Sequence, residues 1–285
     1  DIAVSRGLGD VYKRQIICGI KVVTKIKSEE SMLEIAQFVC LSDNYGYLVH
    51  DPKTGSTASI DAPDAEPINA ELDRRGWSLT HVLVTHHHFD HTAGNEALKD
   101  RWSCEIVGSR SDAGRIPAIE KQVEHGELFQ FGGYDVEVIE VSGHTVGHIA
   151  YFFKEEKHAF VGDTLFALGC GRLFEGSAEQ MWQSLSRLCE LPDDTLIYCG
   201  HEYTESNAKF AMTIEPENEL LVKRVDEITA LRSKDQPTVP SYLGLEKKTN
   251  PFLRPHVREV QRVLAMEGCD VVDIFSEIRK RKDNF

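Results

Sequence analysis

Within the seven residues Thr85-His86-His87-His88-Phe89-Asp90-His91 stand four histidines and a carboxylate. Imidazoles and carboxylates are the ligands that zinc and its first-row neighbours take. The preceding Thr80 to Thr85 is short, apolar and β-branched, so it reads as a buried strand ending where the histidines begin. In extended chain, residues i and i+2 face one side. His86 and His88 can then hold one metal, while the turn aims Asp90 and His91 at a second point. His87 alternates away from its neighbours and is expected to be packed or to support them.

Two metals need more ligands than this cluster supplies, and three further places share its layout. Val141-Ser142-Gly143-His144 follows the strand-like Tyr134 to Glu140, Gly162-Asp163 follows Phe160-Val161, and Gly200-His201 follows Leu196 to Cys199. Each runs strand, glycine, ligand-capable side chain, and glycine lets the backbone turn sharply near a bound centre. Taken singly, such a histidine is more often structural; four strand ends of one pattern are not easily dismissed. His148 is expected to be structural or to orient its neighbours. His50, His81, His125, His158 and His256 fit no motif.

The order His-x-His-x-Asp-His, His, Asp, His resembles the metallo-β-lactamase superfamily. Within it, Cys170 to Gly176, Cys199-Gly200-His201-Glu202-Tyr203-Thr204 and the tail Arg279 to Phe285 resemble the glyoxalase II (hydroxyacylglutathione hydrolase) branch, a match running from about Met32 to the last residue. The resemblance implies that His86, His88 and His144 hold one metal and Asp90, His91 and His201 the other, with Asp163 bridging and, with Asp90, offsetting the charge. Two divalent ions are expected, zinc first, with iron or manganese compatible. It also implies that Arg172, Phe174, Tyr203, Arg279 and Lys282 hold the glutathione moiety. Arg172 and Phe174 depart from the lysine and tyrosine of the animal enzymes; the first keeps the charge and the second loses a hydroxyl. Cys199 is set aside as a ligand, because Asp163 completes the set.

A dinuclear centre lowers the pKa of bound water to about 7, giving a hydroxide that attacks a carbonyl polarised by the same ions. A thiolate leaves without a protein acid, since thiols ionise near a pKa of roughly 8.5. The residues alone leave an ester, a lactone and a phosphodiester open; the resemblance implies hydrolysis of S-D-lactoylglutathione and related 2-hydroxyacyl thioesters, the second step of methylglyoxal detoxification. The competing reading is a persulfide dioxygenase with a single iron. It would leave the second ligand set and the basic tail without a use.

Composition fits an enzyme acting on a small molecule. The 285 residues are 41% hydrophobic, enough for a large core and about two domains. With 46 acidic against 32 basic side chains the net charge is −14, which disfavours nucleic acid and anionic membranes as partners. Seven scattered cysteines without a C-x-x-C pair point to reduced thiols and a cytoplasmic protein, expected as a monomer.

Positioning the ligands falls to short strands at 45–50, 57–61, 80–85, 134–141, 149–153, 158–161 and 195–199. Helices are expected at 67–75, just after His91, and at 178–190, the last opened by a Ser177/Gln180 capping box. This mix is α+β and suits two mixed sheets with helices outside over 32–204; the resemblance implies the four-layer αββα sandwich of the superfamily, with metals at one edge. After residue 205 the strand pattern stops. Helices at 206–214, 218–231, 257–266 and 271–280, interrupted at Pro237, Pro240 and Pro251, make a small helical domain over 205–285, which the resemblance implies is the substrate-binding one. Residues 1–31 hold no methionine, and Val4 to Gln15 resembles translated adapter sequence. They are expected to be a non-native or disordered extension. Ile16 to Val23 is too short and too interrupted to span a bilayer.

Overall fold

The computed structural model describes residues 33–285, so the expectation for residues 1–31 lies outside the described residues. The first sheet runs β1 (Glu34–Val39), β2 (Tyr45–His50), β3 (Thr57–Ile60), β4 (His81–Leu83), β5 (Glu105–Ser109) and β6 (Lys121–Val123), in that spatial order. Its first three strands are antiparallel neighbours and its last four are parallel ones. The parallel crossovers carry α1 (Ala65–Arg75), then α2 (Phe89–Thr92) and α3 (Asn95–Trp102).

The second sheet contains β7 (Leu128–Phe131), β8 (Tyr134–Glu140), β9 (Ile149–Phe153) and β10 (His158–Gly162) as an antiparallel meander. A small hairpin follows, β11 (Leu165–Phe166) with β12 (Gly169–Cys170), and then α4 (Ala178–Cys189). β13 (Leu196–Cys199) joins the sheet parallel to β10. The remainder is α5 (Thr204–Ile214), α6 (Glu219–Arg232), the two-residue β14 (Ser241–Tyr242), α7 (Leu243–Thr249), α8 (Arg258–Leu264) and α9 (Val271–Asp283).

Alternation along each strand divides the core. Tyr47 and Val49 of β2, Leu83 of β4 and Val107 of β5 face the second sheet and pack with Val136, Val138, Tyr151, Phe153 and Phe160. Their neighbours Leu48, Val82 and Ile106 point the other way, onto Ile68 and Leu72 of α1 and Leu98 of α3. Met181, Leu185 and Leu188 bring α4 onto the core that the second sheet shares. The layers are therefore helix, sheet, sheet, helix, as the αββα expectation has it.

Several local expectations differ from the structure. α1 starts at Ala65, not Pro67, because the Asp64 side chain accepts from the Glu66 N–H and caps it. The helix expected after His91 already begins at Phe89, so Asp90 and His91 are part of a helical turn. The Ser177/Gln180 capping box opens α4 as expected. Strand structure does not stop at residue 205: β14 pairs with β13 and closes one edge of the second sheet. α7 was not anticipated, since Gly244 and two lysines hide its apolar face. β5, β6 and β7 were also missed. β5 and β6 have charged or small residues in their runs and β7 a glutamine between its two phenylalanines, and pairing with neighbours outweighs those interruptions.

Candidate metal centre and substrate cleft

Every ligand-capable residue singled out above sits at or just beyond the carboxyl end of a strand, on one edge of the sandwich. His86 and His88 follow β4, His144 follows β8, Asp163 follows β10 and His201 follows β13. Two glycines make this crowding feasible. Gly162 adopts φ +48°, and a Cβ there would come within 2.6 Å of Thr85 Oγ1. At Gly200 a Cβ would lie 2.5 Å from Asp163 Oδ1.

The side chains converge as two groups. His88 Nδ1 lies 3.1 Å from both His86 Nε2 and His144 Nε2. Bonds of about 2.0–2.1 Å to a tetrahedral zinc put ligand nitrogens roughly 3.3 Å apart, so this spacing suits a cation between them. On the other side, Asp90 Oδ2 is 3.6 Å from His91 Nε2 and 3.4 Å from His201 Nε2. Asp163 reaches both groups: Oδ1 is 3.5 Å from His91, and Oδ2 is 3.2 Å from His201 and 3.6 Å from His144. His91 Nε2 and Asp163 Oδ1 are buried and make no hydrogen bond. Buried polar atoms are rarely left unpaired. Two such atoms, aimed into a cluster of imidazoles and carboxylates, fit divalent cations.

Hydrogen bonds behind the histidines fix which ring nitrogen faces inward. His144 Nδ1 donates to the Arg172 carbonyl at 2.8 Å, His91 Nδ1 to Asp61 Oδ2 at 2.8 Å and His201 Nδ1 to Asp43 Oδ1 at 3.0 Å. In each case Nε2 is the nitrogen left facing the centre. Asn44 Nδ2 donates to the backbone carbonyl and Oδ2 of Asp90, at 3.1 and 3.2 Å. His148 Nε2 accepts the Asp163 N–H at 3.0 Å, which is the orienting part expected of it.

The electrostatics divide the histidines. Burial holds His86 well below its ordinary value and lowers His88 and His144. Burial also opposes charge on His91 and His201. Asp163 outweighs it in both, helped by Asp61 at His91 and Asp43 at His201, and raises them. Burial works against the Asp163 carboxylate too, but His91 and His201 hold it well below the usual range.

The residues expected at the substrate gather on the same edge. Phe174 is 62% exposed and meets His88 and His144 edge-on, with ring centroids 5.7 and 5.2 Å apart. Tyr203 stacks flat on His201 at 4.7 Å. Arg172 projects outward, and its Nε comes within 4.0 Å of Asp283 Oδ1. Lys282 Nζ donates to the Ser206 carbonyl and hydroxyl. Arg279 differs from the rest: it is 5% exposed, donates to the Cys170 carbonyl and Asp283, and lies over the Phe252 ring. Its guanidinium braces β12 against α9 instead of standing free.

Sequence reasoning missed Asp43, Asn44, Asp61, Asp112, Arg115 and Glu175. Asp61 carried a signal, an acid directly after a strand. It sits at φ +57°, and its carboxylate accepts the Thr85 N–H and hydroxyl, pinning the start of the histidine loop. Backbone in that region is stored strain, found where a site over-determines it.

The Metallo-beta-lactamase superfamily model matches residues 54–201, and the Hydroxyacylglutathione hydrolase C-terminus model matches residues 202–285. The chain is 55% identical to the hydroxyacylglutathione hydrolase of Rhizobium meliloti (strain 1021) over 89% of this chain and 99% of that one. It is 54% identical to the hydroxyacylglutathione hydrolase of Ruegeria pomeroyi, with the same coverage. Among solved structures, ETHE1 from Myxococcus xanthus is similar, with a TM-score of 0.61 and 27% identity over 86% of this chain and 96% of that one.

Proposed function

We infer, since this chain belongs to the hydroxyacylglutathione hydrolase family of the metallo-β-lactamase superfamily, that it hydrolyses S-D-lactoylglutathione and related 2-hydroxyacyl thioesters to the hydroxy acid and glutathione. The observation that carries this reading is the carboxylate of Asp163, whose two oxygens reach both groups of histidines. His86, His88 and His144 would hold one ion and Asp90, His91 and His201 the other, with Asp163 shared. Both ions are proposed to be zinc, which suits nitrogen and carboxylate donors; iron and manganese are compatible with the same set. When bound, two such ions acidify water and polarise a carbonyl.

The chain's own residues supply the rest. Asp163 and Asp90 offset positive charge, and Asp61 and Asp43 hold the imidazoles in the required tautomer. Phe174 walls one side of the cleft and Tyr203 the other. Arg172 and Lys282 offer charge to the carboxylates of the glutathione moiety, and Arg279 keeps α9 in place beneath them. The metal unit is taken as residues 32–204 and the substrate unit as 205–285. The leaving thiolate needs no protein acid.

A monomer in the cytoplasm is proposed. The compartment has chemical support: the six cysteines among the described residues are free thiols, as a reducing compartment keeps them. No helix among the described residues is long and apolar enough to cross a membrane.

The direct test is to follow loss of the S-D-lactoylglutathione thioester with purified protein while measuring metal on the same sample. Hydrolysis with about two metals per chain is the expected result. An inert protein holding one iron, with oxygen uptake on glutathione persulfide, would favour the dioxygenase instead.

Lys282 adds a pH prediction. Burial, with like charge from Arg279 and Arg172, pushes its ammonium down to about 8, against the pull of Asp283. A lysine is charged below its pKa, so its attraction for an anionic substrate is present below pH 8 and fades as pH rises through it. KM should therefore climb between about pH 7 and about pH 9.5 and flatten in Lys282→Met. An equally steep climb in the variant would assign the titration elsewhere.

A further inference from the structure

One charged cluster beside the cleft has no part in holding cations. Asp112 is fully buried, accepts from Arg115 Nη2 and lies 3.0 Å from His87 Nδ1. The 143–147 loop presses on it so closely that a Cβ on Gly147 would meet Asp112 Oδ1 at 2.0 Å. Arg115 then reaches across to Glu175, donating from Nη1 to Oε1 at 2.5 Å and from Nη2 to Oε2 at 3.3 Å. Glu175 Oε2 also accepts the Val146 N–H at 2.9 Å. Three segments thus meet at one two-pronged ion pair: the histidine loop through His87, the 143–147 loop, and the loop that carries Phe174.

Phe174 is the residue with most to gain from this. Its ring is mostly exposed and touches His88 and His144 only by its edge. Contacts of that kind leave a side chain free to swing unless the backbone beneath is held. The Phe174 and Glu175 amides donate to the His144 carbonyl at 3.3 Å, long enough to need support. A bidentate guanidinium–carboxylate pair supplies direction as well as attraction.

We propose that Arg115 and Glu175 are positioning residues that set Phe174 against the His88 and His144 rings and so determine how tightly the thioester binds. This rests on the thioester hydrolase reading for its substrate, though not for its geometry. Loosening the pair displaces a binding wall without disturbing the groups at the reacting carbonyl, and a wall contributes alike to the ground state and the transition state.

Arg115→Ala and Glu175→Ala are each expected to raise KM for S-D-lactoylglutathione about tenfold, with kcat within about twofold and metal content unchanged. In a Phe174→Ala background the Arg115→Ala change should add little, since the two act through one contact. A 4-fluorophenylalanine placed at position 174 gives a readout independent of turnover: its fluorine resonance should shift in Arg115→Ala. An unshifted resonance or a fully additive effect on KM would overturn the proposal. So would a fall in kcat with loss of metal, which would mean that the cluster acts through His87 on the ligands. A wild-type protein inert toward the thioester would overturn the functional reading alone, because the fluorine signal still reports the geometry.

Discussion

Asp163→Ala is expected to remove metal and activity together, leaving hydrolysis about 10³-fold lower or less, the equivalent of about 4 kcal/mol of lost stabilisation. Asp163 is the one carboxylate among the described residues whose oxygens reach His91 and His201 of one group and His144 of the other. It is also the main partner that lifts His91 and His201 above their ordinary values. Taking it away leaves two positive ions without a shared counter-charge, and leaves a cluster of imidazoles crowded at 3.1 Å without an anion between its halves. Metal analysis should then show well below two ions per chain. Asp163→Asn separates charge from shape. It keeps the side-chain volume beside Gly200, and it should lose metal nearly as completely if charge is what matters. Full activity in either variant would end the bridging assignment. An unchanged circular dichroism spectrum in both would show that any loss arises at the site and not in the fold.

The largest effect on stability is expected far from the metals, at Glu246 of α7. Its carboxylate is fully buried and accepts from four directions: Arg224 Nη2, the Ser241 hydroxyl at 2.6 Å, Asn250 Nδ2 at 3.2 Å and the Leu168 N–H at 2.9 Å. Leu168 sits at φ +58° in the turn between β11 and β12, so this acid ties the hairpin after Asp163 to α6, α7 and β14. Glu246→Ala strands the Arg224 guanidinium in the interior. Breaking a buried pair by removing one partner costs about 3–5 kcal/mol, because the remaining charge has no counterpart. At roughly 2–4 °C per kcal/mol for a chain of this size, Tm should fall by about 6–20 °C. The double variant Arg224→Met/Glu246→Leu removes both charges and should recover much of that loss. A single variant as stable as the parent would mean that water reaches Arg224. A double variant no better than the single would mean that the hydrogen bonds to Leu168, Ser241 and Asn250 matter more than the charge.

Some of this was legible in the chain and some was not, and the division follows from how far apart the partners lie. His86, His88, Asp90 and His91 crowd into six positions, so a strand end is enough to bring them together. The glycines before His144, Asp163 and His201 marked the other strand ends, and the run of short strands with few helices between them suited two sheets with helices outside, as the resemblance also implied. Those signals are local. What the sequence could not reveal are contacts closed only by tertiary packing: Asp43 with His201 across 158 positions, Asp61 with His91 across 30, and Arg115 with Glu175 across 60. A lone acid carries no mark of the histidine it orients. Arg279 shows the reverse case. It reads as part of a basic tail, yet the docking of α9 on β12 buries it and turns a candidate substrate contact into a brace. β14 is two residues long and becomes strand only because β13 offers it an open edge. Side-chain type and spacing therefore decided which chemistry this chain can perform. The folded structure alone decided which acids orient the ligands and where the tail's charges end up, because burial and hydrogen-bond direction exist only after the layers have packed.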